Sequence, residues 1–77
     1  MKELDLRISE RRFKVILRSL KDRERLLNEL CAVSTDEDEV ALAGNDLIEL
    51  RMFLREFEAL GVQTFGESAL NISDELL

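Results

Sequence analysis

The chain has 77 residues, 45% hydrophobic and 36% charged, with no Pro, no His and a formal net charge of −6. A domain of that length builds a core worth only about 3–5 kcal/mol unless something reinforces it. Cys31 is the only cysteine, which excludes an intrachain disulfide and, with histidine absent, a soft-metal site, so oligomerisation is the remaining common reinforcement.

The N-terminal residues 3–8 alternate strictly. Leu4, Leu6 and Ile8 fall on one face and Glu3, Asp5 and Arg7 on the other, the period of a half-buried strand. Ser9 then suits an N-cap, with Glu10 placed against the positive end of a helix dipole. A first helix is expected over about 10–32. Its apolar positions are Phe13, Ile16, Leu17, Leu20, Leu27, Leu30 and Cys31, with Phe13, Leu20 and Leu27 one heptad apart. Arg23 and Glu24 interrupt the stripe once, where charged stems must drape over the seam or the packing partner is missing. Glu10–Lys14, Arg18–Asp22 and Arg25–Glu29 are opposite charges at i, i+4, each worth about 0.2–0.5 kcal/mol.

The segment Ser34-Thr35-Asp36-Glu37-Asp38-Glu39 reads as one helix ending and another starting almost at once. Ser34 or Thr35 is the expected cap, and Ser34 with Glu37 matches a capping box. A second helix is expected over about 36–60, with Val40, Ala43, Leu47, Leu50, Leu54 and Phe57 in its stripe and Gly61 at the left-handed position beyond its end. Ile48, Met52 and Ala59 lie off that stripe, and Phe53 and Leu60 widen it, so this helix carries more apolar surface than one partner covers. The tail 61–77 reads either as short strands, Val62–Phe65 and Ala69–Ile72 about a Gly66 turn, or as a short third helix from Ser68.

No linker or repeat divides the chain, so 1–77 is one domain. The fold class that results is mainly α: an antiparallel two-helix hairpin with a short N-terminal strand and a short C-terminal strand or helix, dimerising into a four-helix arrangement. Its seams would be Phe13, Ile16, Leu20, Leu27 and Leu30 against Leu47, Leu50, Leu54 and Phe57. Ala41, Ala43 and Gly44 would let backbones approach closely at the start of the second helix.

Charge is unevenly spread. Residues 1–9 sum to zero, residues 10–25 carry seven bases against three acids (+4), and residues 26–77 carry two bases against twelve acids (−10). A basic first helix is therefore expected against an acidic second one, which fixes orientation more than it adds stability.

The residues carry no motif that names an activity. His, Tyr and Trp are absent, and Cys31 lacks the base that would make it a nucleophile, so the expectation is no enzyme, no catalytic residue and no cofactor. Its apolar helical position reads as a packed thiol. Asp36 to Glu39 could draw a hard cation, but a calcium hand fails on spacing, because Val40, Ala41 and Leu47 stand where a ligand, a glycine and a bidentate glutamate are needed. Helix capping is the reading that remains, with no metal site.

A strand followed by two helices is also the order of ribbon-helix-helix repressors, a likeness of topology only. The outward strand face would offer Glu3, Asp5 and Arg7 to a polyanion, two acids in three. The bases Arg11, Arg12, Lys14, Arg18, Lys21 and Arg25 make an alternative nucleic-acid patch, in the manner of a small antitoxin-like regulator, yet no stacking aromatic is interleaved except Phe13, which belongs to the core. Membrane binding by the same basic helix fits poorly with its interleaved Asp22 and Glu24. The −10 segment could act as a nucleic-acid mimic towards a basic partner but has no distinctive spacing. The first residues lack the apolar run of a signal peptide, and no stretch approaches a membrane span, so cytoplasmic residence is the default expectation.

The functional expectation is therefore a small protein–protein interaction or regulatory module, an adaptor whose partner is a second copy, with another protein as a further candidate, and whose interface is at Ile48, Met52, Phe53 and Leu60.

Overall fold

A computed structural model of the chain describes residues 2–72, and within them it is mainly helical. Helix α1 spans Glu10–Val33, α2 spans Glu37–Phe65, and a single 3-10 turn, Glu67–Leu70, follows. Ser9 caps α1 as expected: its side chain accepts a hydrogen bond from the Arg12 N–H at 3.2 Å, with extended dihedrals at Ser9 itself. The helix ends at Ser34, whose N–H donates to the Leu30 carbonyl at 3.0 Å.

The second cap differs from the expected one. Asp36, not Ser34 or Thr35, supplies it, with Oδ1 accepting from the N–H groups of Asp38 (3.0 Å) and Glu39 (3.3 Å). Ser34 instead uses its hydroxyl oxygen to accept from the Asp36 N–H at 3.2 Å, which tightens the connection by one turn and leaves no capping box with Glu37. Two residues then separate the last turn of α1 from the cap of α2, and so short a link folds the helices back on each other. Phe13 meets Phe57 and Phe65, Arg51 meets Glu24, and the Cys31 thiol lies 4.0 Å from the Val40 carbonyl oxygen, contacts that run the length of an antiparallel pair.

The core divides into two clusters along that pair. Next to the connection, Leu27, Ala43 and Leu47 are buried, with Leu30, Cys31 and Leu50 packed around them. At the open end, Phe13, Leu17, Leu54 and Ala69 are buried, and Leu50 also packs against this group. Between the clusters lies the interruption of the stripe at Glu24. It is bridged across the helices by Arg51, whose Nε donates to Glu24 Oε2 at 3.0 Å while a terminal guanidinium nitrogen reaches Asn28 Oδ1 at 3.4 Å. Of the three expected i, i+4 pairs, Glu10–Lys14 forms at 3.4 Å, and Arg25 turns to Asp22 at 3.7 Å instead of Glu29.

The end of α2 also departs from expectation. The helix runs one turn past Gly61, so Val62–Phe65 is helical and not a strand. Gly61 is buried directly under the Phe13 ring, where its missing side chain permits the two helices to approach. The terminating glycine is Gly66, with φ +94° and ψ 170°, a region that only glycine occupies readily, and its N–H donates to the Val62 carbonyl at 2.8 Å. That reversal carries the 3-10 turn back over the open end and places Ala69, fully buried, in the core beside Leu17. Of the two readings of the tail, the strand at Ala69–Ile72 is therefore absent, and the short helix is present as a single turn that starts at Glu67, one residue before Ser68.

No strand occurs among the described residues. Residues 3–8, expected as a strand, are irregular and have no partner strand to pair with, although Ile8 packs against the open-end cluster. The part of the expected tail from 73 to 77 lies outside the described residues. No helix among those described is long and apolar enough to cross a membrane.

The pair is one helix layer thick, with a shortest extent of 17 Å. Its radius of gyration is 14.5 Å, against about 11.5 Å for a compact domain of this length.

Candidate interaction surfaces

The four apolar residues expected at an interface are all exposed: Ile48 61%, Met52 56%, Phe53 48% and Leu60 60%. They do not form one patch. Ile48 and Met52 are four residues apart and share a side of α2 with Ala41 and Ala59. Phe53 and Leu60, seven apart, lie on the next side together with exposed Leu42, eleven residues before Phe53. Glu49 and Glu56 run between the two stripes. Leu42 is not among the residues expected at an interface, although its spacing to Phe53 and Leu60 is visible in the sequence. Ala43, expected to ease the approach of a second subunit, is used inside the hairpin against Leu27 and Leu47.

Phe53 is the outer member of an aromatic row. Its ring stacks on Phe57 at a centroid distance of 5.6 Å, Phe57 stacks on Phe13 at 4.6 Å, and Phe13 meets Phe65 at 5.7 Å in a tilted arrangement. The row connects the exposed stripe to the middle of the open-end core, so a partner that covers Phe53 packs onto a surface already held in place. Next to it is an open depression lined by Leu60, Gly61 and Phe65 of α2, by Phe13 of α1 and by Leu6, Arg7 and Ile8 of the N-terminal segment.

A further exposed apolar line runs along the outer side of α1, where Val15, Leu26 and Val33 recur at intervals of eleven and seven residues. The charged residues of the expected nucleic-acid patch separate into two groups. Arg11, Lys14, Arg18, Lys21 and Arg25 share one side of α1 through steps of three, four and seven, whereas Arg12 lies on another. Acids meet this side along its length: Lys14 pairs with Glu10, Lys21 with Glu58 at 3.7 Å across the hairpin, and Arg25 with Asp22. The acid-rich segment has a local task as well, since the Asp36 carboxylate caps α2. Cys31 is half-buried against the connection-end cluster, consistent with a packed thiol.

Among the described residues, then, the chemistry on the surface is that of apolar stripes bounded by charge. No known family model, no curated protein sequence and no solved structure matches this chain.

Proposed function

We propose that the chain is a small non-enzymatic interaction module that acts as a homodimer and offers a helical apolar surface to a protein partner. The observation that carries this reading is the amount of surface left uncovered. The chain exposes 6453 Å², against about 4,800 Å² for a compact monomer of its mass. Residues 2–8 account for part of the excess and the exposed stripes of α2 add to it, within a total that covers all 77 residues. The difference, on the order of 1,600 Å², exceeds the roughly 800 Å² that each partner contributes to a standard interface.

Two separate stripes suit two separate uses. A two-fold dimer brings one patch against itself, and the Leu42–Phe53–Leu60 stripe, anchored by the aromatic row, is the better candidate for it. The Ile48–Met52 stripe is then left for a different protein, held by helix-in-groove packing. Light scattering behind a sizing column tests the reading. A dimeric mass is expected over micromolar concentrations, lowered by Leu60→Glu and unchanged by Met52→Glu. A monomeric mass throughout would refute the homodimer.

The shared side of Arg11, Lys14, Arg18, Lys21 and Arg25 is the one observation that favours a second reading, a DNA-associated regulator. It requires DNA retention that weakens steeply with salt and is lost in Arg11→Glu with Arg18→Glu. The acids paired with Lys14, Lys21 and Arg25 argue against it.

A further inference from the structure

We infer that residues 3–9 pair with the same residues of a second copy as a two-stranded antiparallel ribbon centred on Leu6. The inference rests on the homodimeric reading above and gives it a surface and a register.

The backbone groups of residues 2–8 take part in none of the hydrogen bonds among the described residues, although Ser9, the next residue, already has extended dihedrals. Backbone polar groups that protein does not satisfy are a template for another strand. The strict alternation of apolar and charged residues has no use inside a single chain: Leu4 is 85% exposed and Leu6 63%. A period of two marks a segment with one covered face, and within this chain only Ile8 is covered.

The segment is complementary to itself in one register. When two identical antiparallel strands cross at Leu6, Leu6 lies opposite Leu6 and Leu4 opposite Ile8, while Asp5 lies opposite Arg7 on the other face. Each apolar residue meets an apolar one, and both Asp5–Arg7 pairs are attractive. Crossing at Asp5 instead sets the two Asp5 carboxylates against each other and Ile8 against Lys2. Crossing at Arg7 opposes the two guanidinium groups and runs Leu4 into Glu10 of α1. A shift by a single residue turns the apolar faces of the two strands apart.

The ribbon also continues a surface already present. Ile8 faces the open-end core, and Leu6 borders the depression that Leu60 and Phe65 complete. The residue opposite Ile8 is Leu4 of the second copy, so pairing brings that leucine to the rim of the depression, next to the stripe of Phe53 and Leu60. The two-fold contact thereby extends from the N-terminal segment to the Leu60 end of that stripe.

Charge reversal with rescue tests the register. In the full chain, Asp5→Arg places two Arg–Arg contacts in the ribbon, and Arg7→Asp two Asp–Asp contacts. Each is expected to weaken the dimer by about tenfold or more, with unchanged helical circular dichroism, because neither side chain packs in the core. The double variant restores both attractive pairs and is expected to recover the wild-type dissociation constant. Cross-linking gives an independent readout: in a Cys31→Ser background, Leu6→Cys falls opposite itself, about 4.5–5.5 Å between Cα atoms, within disulfide reach. Leu4→Cys lies four residues from its own copy, about 13 Å away, and is not expected to oxidise to a dimer. A chain that stays monomeric would overturn both this inference and the homodimer. A dimer indifferent to the single reversals, or one in which Leu4→Cys cross-links as readily as Leu6→Cys, would overturn the ribbon alone.

Discussion

Adding one methyl group to α2 at two glycines is expected to have opposite effects. At Gly61, a Cβ would collide with the edge of the Phe13 ring, overlapping Cζ and lying 2.5 and 2.6 Å from Cε2 and Cε1. The ring has nowhere to go, since Phe13 is only 2% exposed and is held between Phe57 and Phe65. Relief requires the helices to separate or the aromatic row to shift, and overpacking of this kind costs about 1–3 kcal/mol. Alanine returns about 0.5–1 kcal/mol of helix propensity, so the net loss for Gly61→Ala is about 1–2 kcal/mol. Against a core worth roughly 3–5 kcal/mol, that is a large share. At Gly44 nothing lies within 4 Å of the added Cβ, and the same substitution is expected to stabilise by about 0.5–1 kcal/mol. Urea unfolding followed by helical circular dichroism, at one fixed protein concentration, gives both values from the shift in midpoint. The assignment to Phe13 is checked by repeating Gly61→Ala in a Phe13→Leu background, where the penalty should largely vanish. A Gly61→Ala protein as stable as wild type would refute the close approach, and an equal penalty in both backgrounds would refute Phe13 as its cause.

Leu17 is fully buried in the open-end cluster with Phe13, Leu54 and Ala69, so Leu17→Ala is expected to cost about 2–5 kcal/mol and to leave the chain largely unfolded at 25 °C by circular dichroism. Asp36→Ala removes the acceptor for two backbone N–H groups and is expected to lose about 1 kcal/mol in urea unfolding, whereas Thr35→Ala, which caps nothing, should be close to neutral. Arg51→Ala breaks an ion pair in which the side chains are 48% and 32% exposed, and its effect on the midpoint should stay within about 1 kcal/mol and shrink further in high salt.

The parts of the fold that were legible in the sequence are those decided within a turn or two of the chain. Ser9, Glu10 and the first apolar residues specify the start of α1 locally, and the short polar break specifies the reversal. The second cap lies one or two residues beyond the expected Ser34 or Thr35 because Ser34, Thr35 and Asp36 are all competent caps, and only backbone dihedrals choose among them. The end of α2 was misplaced for a different reason. Gly61 and Gly66 both follow apolar residues, and what separates them is the Phe13 ring, far away in sequence, pressed against the first but not the second. Leu17 stood in the apolar pattern, yet its place at the centre of the core depends on Ala69, which only the reversal at Gly66 brings back. Alternation in residues 3–8 was visible, but alternation states that one face is covered and not by what. The exposed residues of α2 were identified one by one. Their division into two stripes follows from the five-residue step between Ile48 and Phe53, which carries the chain well round the helix.

The Glu24–Arg51 bridge divides the hairpin's motions as well as its core. Side chains that close on one another by hydrogen bonds at a half-exposed position resist opening less than buried leucines do, and among the described residues Leu50 alone packs against the clusters on both sides. The connection-end half, built from Leu27, Ala43 and Leu47, therefore has the means to open while the Phe13 end stays closed, a sub-global fluctuation of the kind that amide exchange resolves. Amides around Val40 to Leu47 should exchange faster than those around Leu54 to Phe57. Shortening Leu50 to alanine should widen that difference, because it loosens the side chain through which the two halves feel each other.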